Sequence, residues 1–307
     1  MKLINIDILK KIETELNKFG RPVECALFDV LINNGSSDRY LKELKKFQLD
    51  DGGFGMAIEP DFRLPKSSPM ATSVGIRNAL KFKENPVSKY IVANAIGYLV
   101  KSYDEARIGW YAVGKEVNNF PHSPWWHWNE VEGMTVIDKH WGNPSAELLG
   151  YLINNKEYAV GLDLEIIKSK ARSNIESIEE FESFHELYCY GYLVESVGDE
   201  YRLSLLPNVS DGINAMVEKD PNNFYKGYSP VPLDFINNRQ YTYEIPTNII
   251  EGNLDFLIER LETEILLMPH WDWNDELYKG KMKTARNEWK GILTLQALEK
   301  LLLFDRI

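Results

Sequence analysis

The stretch YLKELKKFQLDDGGFG, residues 40–55, decides how the rest of the chain is read. Leu41, Leu44 and Phe47 recur at helical spacing behind Ser37 and Asp38, either of which can cap a helix. An acidic turn, Asp50-Asp51, then leads through Gly52-Gly53 to the aromatic Phe54 and into a Gly- and Pro-rich loop that lasts to Pro69. Further on, IGYLVKSYDEARIGW at residues 96–110 repeats the order of helix, acidic turn, glycine and aromatic. Phe47 matches Tyr103, Gly53 matches Gly109 and Phe54 matches Trp110, all at one offset. The segments ATSVGIRNAL (71–80), PSAELLGYL (144–152) and WKGILTLQAL (289–298) each mix small residues with Leu or Ile, as a tightly packed inner helix needs. A helical hairpin this small cannot bury its own apolar face, so repeated hairpins must stack.

Outward from that repeat, helical periodicity dominates. Ile4, Ile8, Leu9, Ile12 and Leu16 form one amphipathic stripe. A helix over 22–32 starts at Pro22 and stops at Asn33-Asn34-Gly35. Further helices are predicted at 70–82, 87–103, 144–155, 162–176, 180–196, 211–218, 248–266 and 288–303. Residues 202–206 alternate in the manner of a short strand, and 228–236 read as an extended Pro-rich strap with Asp234 its only acid.

The chain has 307 residues and a formal charge of −11. Such an acidic surface repels phosphate backbones, so a nucleic-acid partner is not expected. Cys25 and Cys189 read as reduced thiols. The first residues lack the apolar core of a signal peptide, and no run approaches the ~18 apolar residues of a membrane span. The expectation is therefore a cytoplasmic protein with no integral membrane segment.

The residues Gln48-LDDGGFG resemble the QxxDGGF/W repeat motif of squalene–hopene cyclases and protein prenyltransferase β subunits. The resemblance to this terpenoid cyclase and prenyltransferase superfamily, and to its bacterial single-toroid members, implies an all-α fold. It implies an α/α toroid of about five to six helical hairpins, filling residues 1–307 as a single domain. It also implies that the Asp and Gln brace loops while the aromatic packs between repeats. The family's chemistry does not carry over. The Asp-x-Asp-Asp acid of class II cyclases is absent, Asp50-Asp51 lacks the third acid of Asp-Asp-x-x-Asp, and neither cysteine has an Asp two residues before it. No metal or cofactor is assigned.

Candidate chemistry falls in three places. Glu59 and Asp61 flank Pro60; one carboxylate can transfer a proton while the other positions a substrate, or both can serve the loop and pair with Arg63. The segment His122-SPWWHWNE sets His122 and His127 among Trp125, Trp126 and Trp128, in a loop kept irregular by Pro121 and Pro124. Pro269-His270-WDWN echoes it, with Trp271, Asp272 and Trp273 following His270. These tryptophans suit the walls of a ligand site, or seal barrel ends without a ligand. Glu147 stands near a helix start, where it either favours the helix dipole or projects inward to a ligand. His185 and Cys189 share a helix face, and a buried thiol beside a hydrogen-bonded His is the reading there. The functional expectation is a toroid protein that binds an apolar or isoprenoid-like small molecule in an aromatic central cavity. The alternatives are a carbohydrate-active toroid enzyme taking a glycan and a non-catalytic binding or interaction protein.

Overall fold

The computed structural model describes residues 2–273, 280 and 282–307. Among them the fold is all-helical, with isolated bridges in place of strands. The α-helices are α1 (Ile6–Phe19), α2 (Pro22–Asn33), α3 (Ser37–Leu44), α4 (Pro69–Leu80), α5 (Pro86–Lys101) and α6 (Gly142–Asn154). They continue as α7 (Leu164–Glu176), α8 (Phe184–Ser196), α9 (Asp199–Met216), α10 (Pro232–Phe235), α11 (Thr247–Glu264) and α12 (Lys283–Leu303). No helix among the described residues is long and apolar enough to cross a membrane. Cys25 and Cys189 are free thiols.

Local chemistry sets most of these boundaries. Asn5, Ser68, Asn85, Asp163 and Ser183 each accept a backbone N–H of the helix they precede. Proline opens α2, α4 and α5, where its missing N–H costs nothing. Asn34 ends α2 in the left-handed region at φ 56°. Two expectations fail. Residues 202–206 lie inside α9, because Tyr201, Leu205 and Val209 are buried at helical spacing while Leu203 faces out. The strap contains one helical turn, α10, where Asp234 Oδ2 accepts the Val231 N–H at 2.8 Å.

The chain divides into two compact units. The first contains residues 2–40, 213–273 and 283–307. In it α12 packs against α1, α2 and α11, and α10 packs on α11. Buried Arg306 joins its ends, giving hydrogen bonds to the Lys2 carbonyl (2.6 Å), to Asp255 (2.8 Å) and to Glu251.

The second unit contains residues 41–212 with Gly280 and Met282. Here α6 packs against α4, α7 and α8, and α5 packs on α4. The DGGF turn works as a brace. Gln48 Nε2 donates to the carbonyls of Gly52 and Ile91, both at 2.9 Å. Asp51 Oδ1 accepts the Gly53 N–H at 3.0 Å and the Ser67 hydroxyl at 2.7 Å. Gly52 sits at φ +91°, which a side chain resists. The buried Phe54 gives its N–H to Thr72 Oγ1 in α4 at 3.0 Å. The second copy repeats that bond: the buried Trp110 gives its N–H to Ser145 Oγ in α6, also at 3.0 Å. In both, the aromatic at the end of the turn is tied to a hydroxyl near the start of a following helix.

Gly75 of α4 lies against the Phe54 ring, and a Cβ there would fall 2.4 Å from it. Gly97, inside α5, has open space around its Cβ direction. Gly97→Ala is therefore expected to stabilise by up to about 1 kcal/mol through helix propensity. Gly75→Ala is expected to destabilise by about 1–3 kcal/mol through overpacking. Urea unfolding of both variants checks the opposite signs.

Candidate functional site

Two loops that are distant in sequence meet in the second unit. Phe62 forms an antiparallel bridge with His122. Arg63 N donates to the Pro121 carbonyl at 2.8 Å, and Ser123 N donates to the Asp61 carbonyl at 2.7 Å. The Phe62 and Trp126 rings meet edge to face at 5.1 Å. Asp61 is buried and Glu59 is half-buried, with Glu59 Oε1 accepting the Asp61 N–H at 3.4 Å.

The histidines form an ordered pair. His122 is buried and His127 exposed, and their rings stack with centroids 5.4 Å apart. His122 Nδ1 lies 2.7 Å from the Phe120 carbonyl, which can only accept, so Nδ1 carries the proton. Nε2 of the neutral ring is then an acceptor, and His127 Nδ1, 3.1 Å away, donates to it. In neutral His127 the remaining nitrogen, Nε2, therefore has its lone pair available on an exposed ring. Burial lowers the His122 pKa, and the neighbouring His127 lowers it further.

The same loop contains two buried donors that no described group satisfies. Ser123 precedes the short 3₁₀ turn Pro124–Trp126, yet its hydroxyl caps nothing. Ser123 Oγ and Trp126 Nε1 are both buried without a hydrogen-bond partner. Trp126 N donates to the Ser123 carbonyl at 2.9 Å, which closes the turn between them. Trp128 is held separately, by reciprocal 2.9 Å bonds with Asn118 and by an edge contact with Tyr111. Trp125 is half-buried.

Glu147 is not in this loop. It lies in α6, 1 % exposed, amid α4, α6 and α8. Its two oxygens accept from Arg77 Nε and Nη2, each at 2.8 Å. Tyr151 donates its hydroxyl to the same carboxylate. The Cys189 thiol lies 4.0 Å from Glu147 Oε2 and 3.7 Å from Asn143 Oδ1. Burial, and then the charge of Glu147, raises the pKa of both Tyr151 and Cys189, so both keep their protons and act as donors. The Tyr192 ring lies 4.6 Å below the Arg77 guanidinium. The partners seen for Cys189 are thus Asn143 and Glu147, while His185 packs on Phe184 and Tyr188. Sequence reasoning missed Arg77, Tyr151 and Tyr192. The helices that carry them were expected at 70–82, 144–155 and 180–196, but no local signal singled out these three side chains.

In the first unit, His270 is exposed and lies against the rings of Tyr225, Tyr228 and Trp271. Trp271 also meets Trp273 and Trp289 edge to face. Asp272 is exposed and pairs with Arg286 at 2.6 Å, and Arg286 covers the buried Trp273. Among the described residues no three His, Cys, Asp or Glu side chains gather so as to hold a metal ion. Comparison with family models, with curated proteins and with solved structures finds no match.

Two outcomes follow from this geometry. The depressed His122 pKa means the folded state binds fewer protons than the unfolded one. That contribution is complete above the unfolded value, about 6.5, and is lost as pH falls through the folded value. The thermal midpoint should drop on acidification below about pH 6.5, and His122→Asn should flatten that drop. Second, Arg77→Met leaves a buried carboxylate without its cation and should cost about 3 kcal/mol, the low end for a broken buried pair because Arg77 is partly exposed. The double variant Arg77→Met/Glu147→Met should recover most of it, as chemical denaturation would read.

Proposed function

We propose that the chain is an α/α-toroid protein that binds an apolar or isoprenoid-like small molecule, with the His122–Trp128 loop as a ligand-contacting element. The toroid reading is supported by the DGGF-type brace, by its repetition at Trp110 and by the packing of α6 against α4, which shares its small-residue texture. The ligand reading rests on one observation: two buried donors, Ser123 Oγ and Trp126 Nε1, lack partners in a loop that also presents a histidine lone pair. A buried polar group without a partner costs about 1–3 kcal/mol, which a ligand's acceptor atoms would recover. Phe62, Trp126 and the half-buried Trp125 supply apolar contact area beside those donors. His127 adds acid–base capacity next to them.

Thermal shift with farnesol, farnesyl diphosphate and an oligosaccharide tests the reading. A ligand at ~100 times its Kd raises stability by about 2.7 kcal/mol. Farnesol or its diphosphate should shift the midpoint. Ser123→Ala, which deletes an unsatisfied hydroxyl, should leave the free protein as stable or more stable while shrinking the shift. A response to the oligosaccharide alone moves the protein to the carbohydrate class. No response to any of the three favours an interaction protein.

A further inference from the structure

The Arg77 guanidinium is already half used. Glu147 takes the side edge, formed by Nε and Nη2. Nη1 makes no hydrogen bond with any described residue, and the Arg77 side chain is 31 % exposed. The end edge, Nη1 with the second proton of Nη2, therefore has no hydrogen-bond partner among the described residues. Glu147, by contrast, has two bonds from Arg77, a third from Tyr151 and the Cys189 thiol at 4.0 Å. The tyrosine and the thiol fill acceptor positions of Glu147 that Arg77 leaves open, so a ligand's acceptors meet the guanidinium and not the carboxylate. Tyr192 beneath the plane and Glu147 along one edge fix the orientation of the guanidinium before anything binds.

We propose that Arg77 is an oxyanion receptor, binding a ligand carboxylate or phosphate through its end edge. A guanidinium edge offers two parallel N–H groups at the spacing of two oxygens on one carbon or phosphorus, and it offers no acceptor. A ligand meeting it must bring acceptor oxygens, and a pair of them fits best. This site stands on α4, α6 and α8 and does not depend on the ligand-contact role given to the His122–Trp128 loop. Arg21 likewise gives Nε and Nη2 to a carboxylate, Glu24, but is only 13 % exposed against 31 % for Arg77, which makes it an internal control.

The test uses the full chain with two probes, inorganic pyrophosphate and hexanoate, at constant ionic strength set by sodium chloride. Phenylglyoxal condenses with the two terminal nitrogens of an arginine, so it reports on the end edge. Peptide mapping should show Arg77 modified ahead of Arg21, and a saturating probe should protect it at least tenfold. Calorimetric titration should show saturable binding that falls at least tenfold in Arg77→Lys and vanishes in Arg77→Met/Glu147→Met. Protection by pyrophosphate alone assigns the site to phosphate esters, and protection by hexanoate alone assigns it to carboxylic acids. The proposal is overturned if neither probe protects Arg77, or if the folded double variant binds as well as the original chain. Loss of the farnesol response in Ser123→Ala with pyrophosphate binding intact separates this site from the loop reading.

Discussion

Where the described residues form no strands, the backbone of the long connections must still be satisfied, and here side chains take on that work. The path from Lys101 to Gly142 contains only short 3₁₀ turns and isolated bridges. Buried Asp138 accepts the N–H groups of Ala112 (2.7 Å) and Thr135 (2.9 Å) and the Thr135 hydroxyl (2.6 Å). Arg107 gives bonds to the carbonyls of Trp110 and Asp138, at 3.0 and 2.6 Å. Asn118 and Trp128 exchange bonds in the way two strand residues would. These loops are ordered because their peptide groups have found acceptors and donors that a sheet would otherwise supply.

The same demand explains where the acids are buried. Glu186 in α8 accepts the Gly142 N–H at 2.7 Å at the start of α6, and it accepts from Asn174 of α7 at 3.0 Å. A single carboxylate thus ties three helices and occupies the positive end of one of them. Glu147 does a different job, holding one guanidinium across the α4–α6 contact. Breaking either tie would leave a charge in the interior, so each bond fixes helix positions more than it adds net stability.

Much of the helical order was legible from local signals. Pro22 at a first position and the Asn33-Asn34 stop are read one residue at a time and fall as expected, whereas the expected cap of α3 does not: Ser37 already lies in the helix and Ser36 Oγ accepts the Asp38 N–H at 3.2 Å. The DGGF turn was legible as a motif and through its local bonds, Gln48 to Gly52 and Gly53 to Asp51, while its ties to Ile91, Ser67 and Thr72 were not. Residues 202–206 were misread because a window that short cannot distinguish alternation from a four-residue stripe; only Val209 completes the helical pattern. The Arg77–Glu147 pair joins residues far apart in the chain, and nothing in either local pattern names the other. The meeting of the Phe62 and His122 loops is of the same kind. Glu59, Asp61, His122 and Trp126 were each singled out, but their pairing is a property of the fold.

Among the described residues Asn253, Trp271 and Arg306 each leave a buried donor unmet, and the turn at Ser123 leaves two. The turn at Ser123 uses its backbone fully: its N–H goes to Asp61 and its carbonyl accepts from Trp126. Its hydroxyl could cap the turn, as serine commonly does there, and it does not. Trp126 could have been phenylalanine with nearly the same packing on Phe62 and no indole N–H to bury. The fold therefore tolerates two avoidable desolvation costs within one turn, beside a histidine pair whose proton positions are fixed by a carbonyl. A loop serving only to seal the fold would be more stable with alanine and phenylalanine at these two positions. Both residues therefore bring a donor that the packing of this turn does not use.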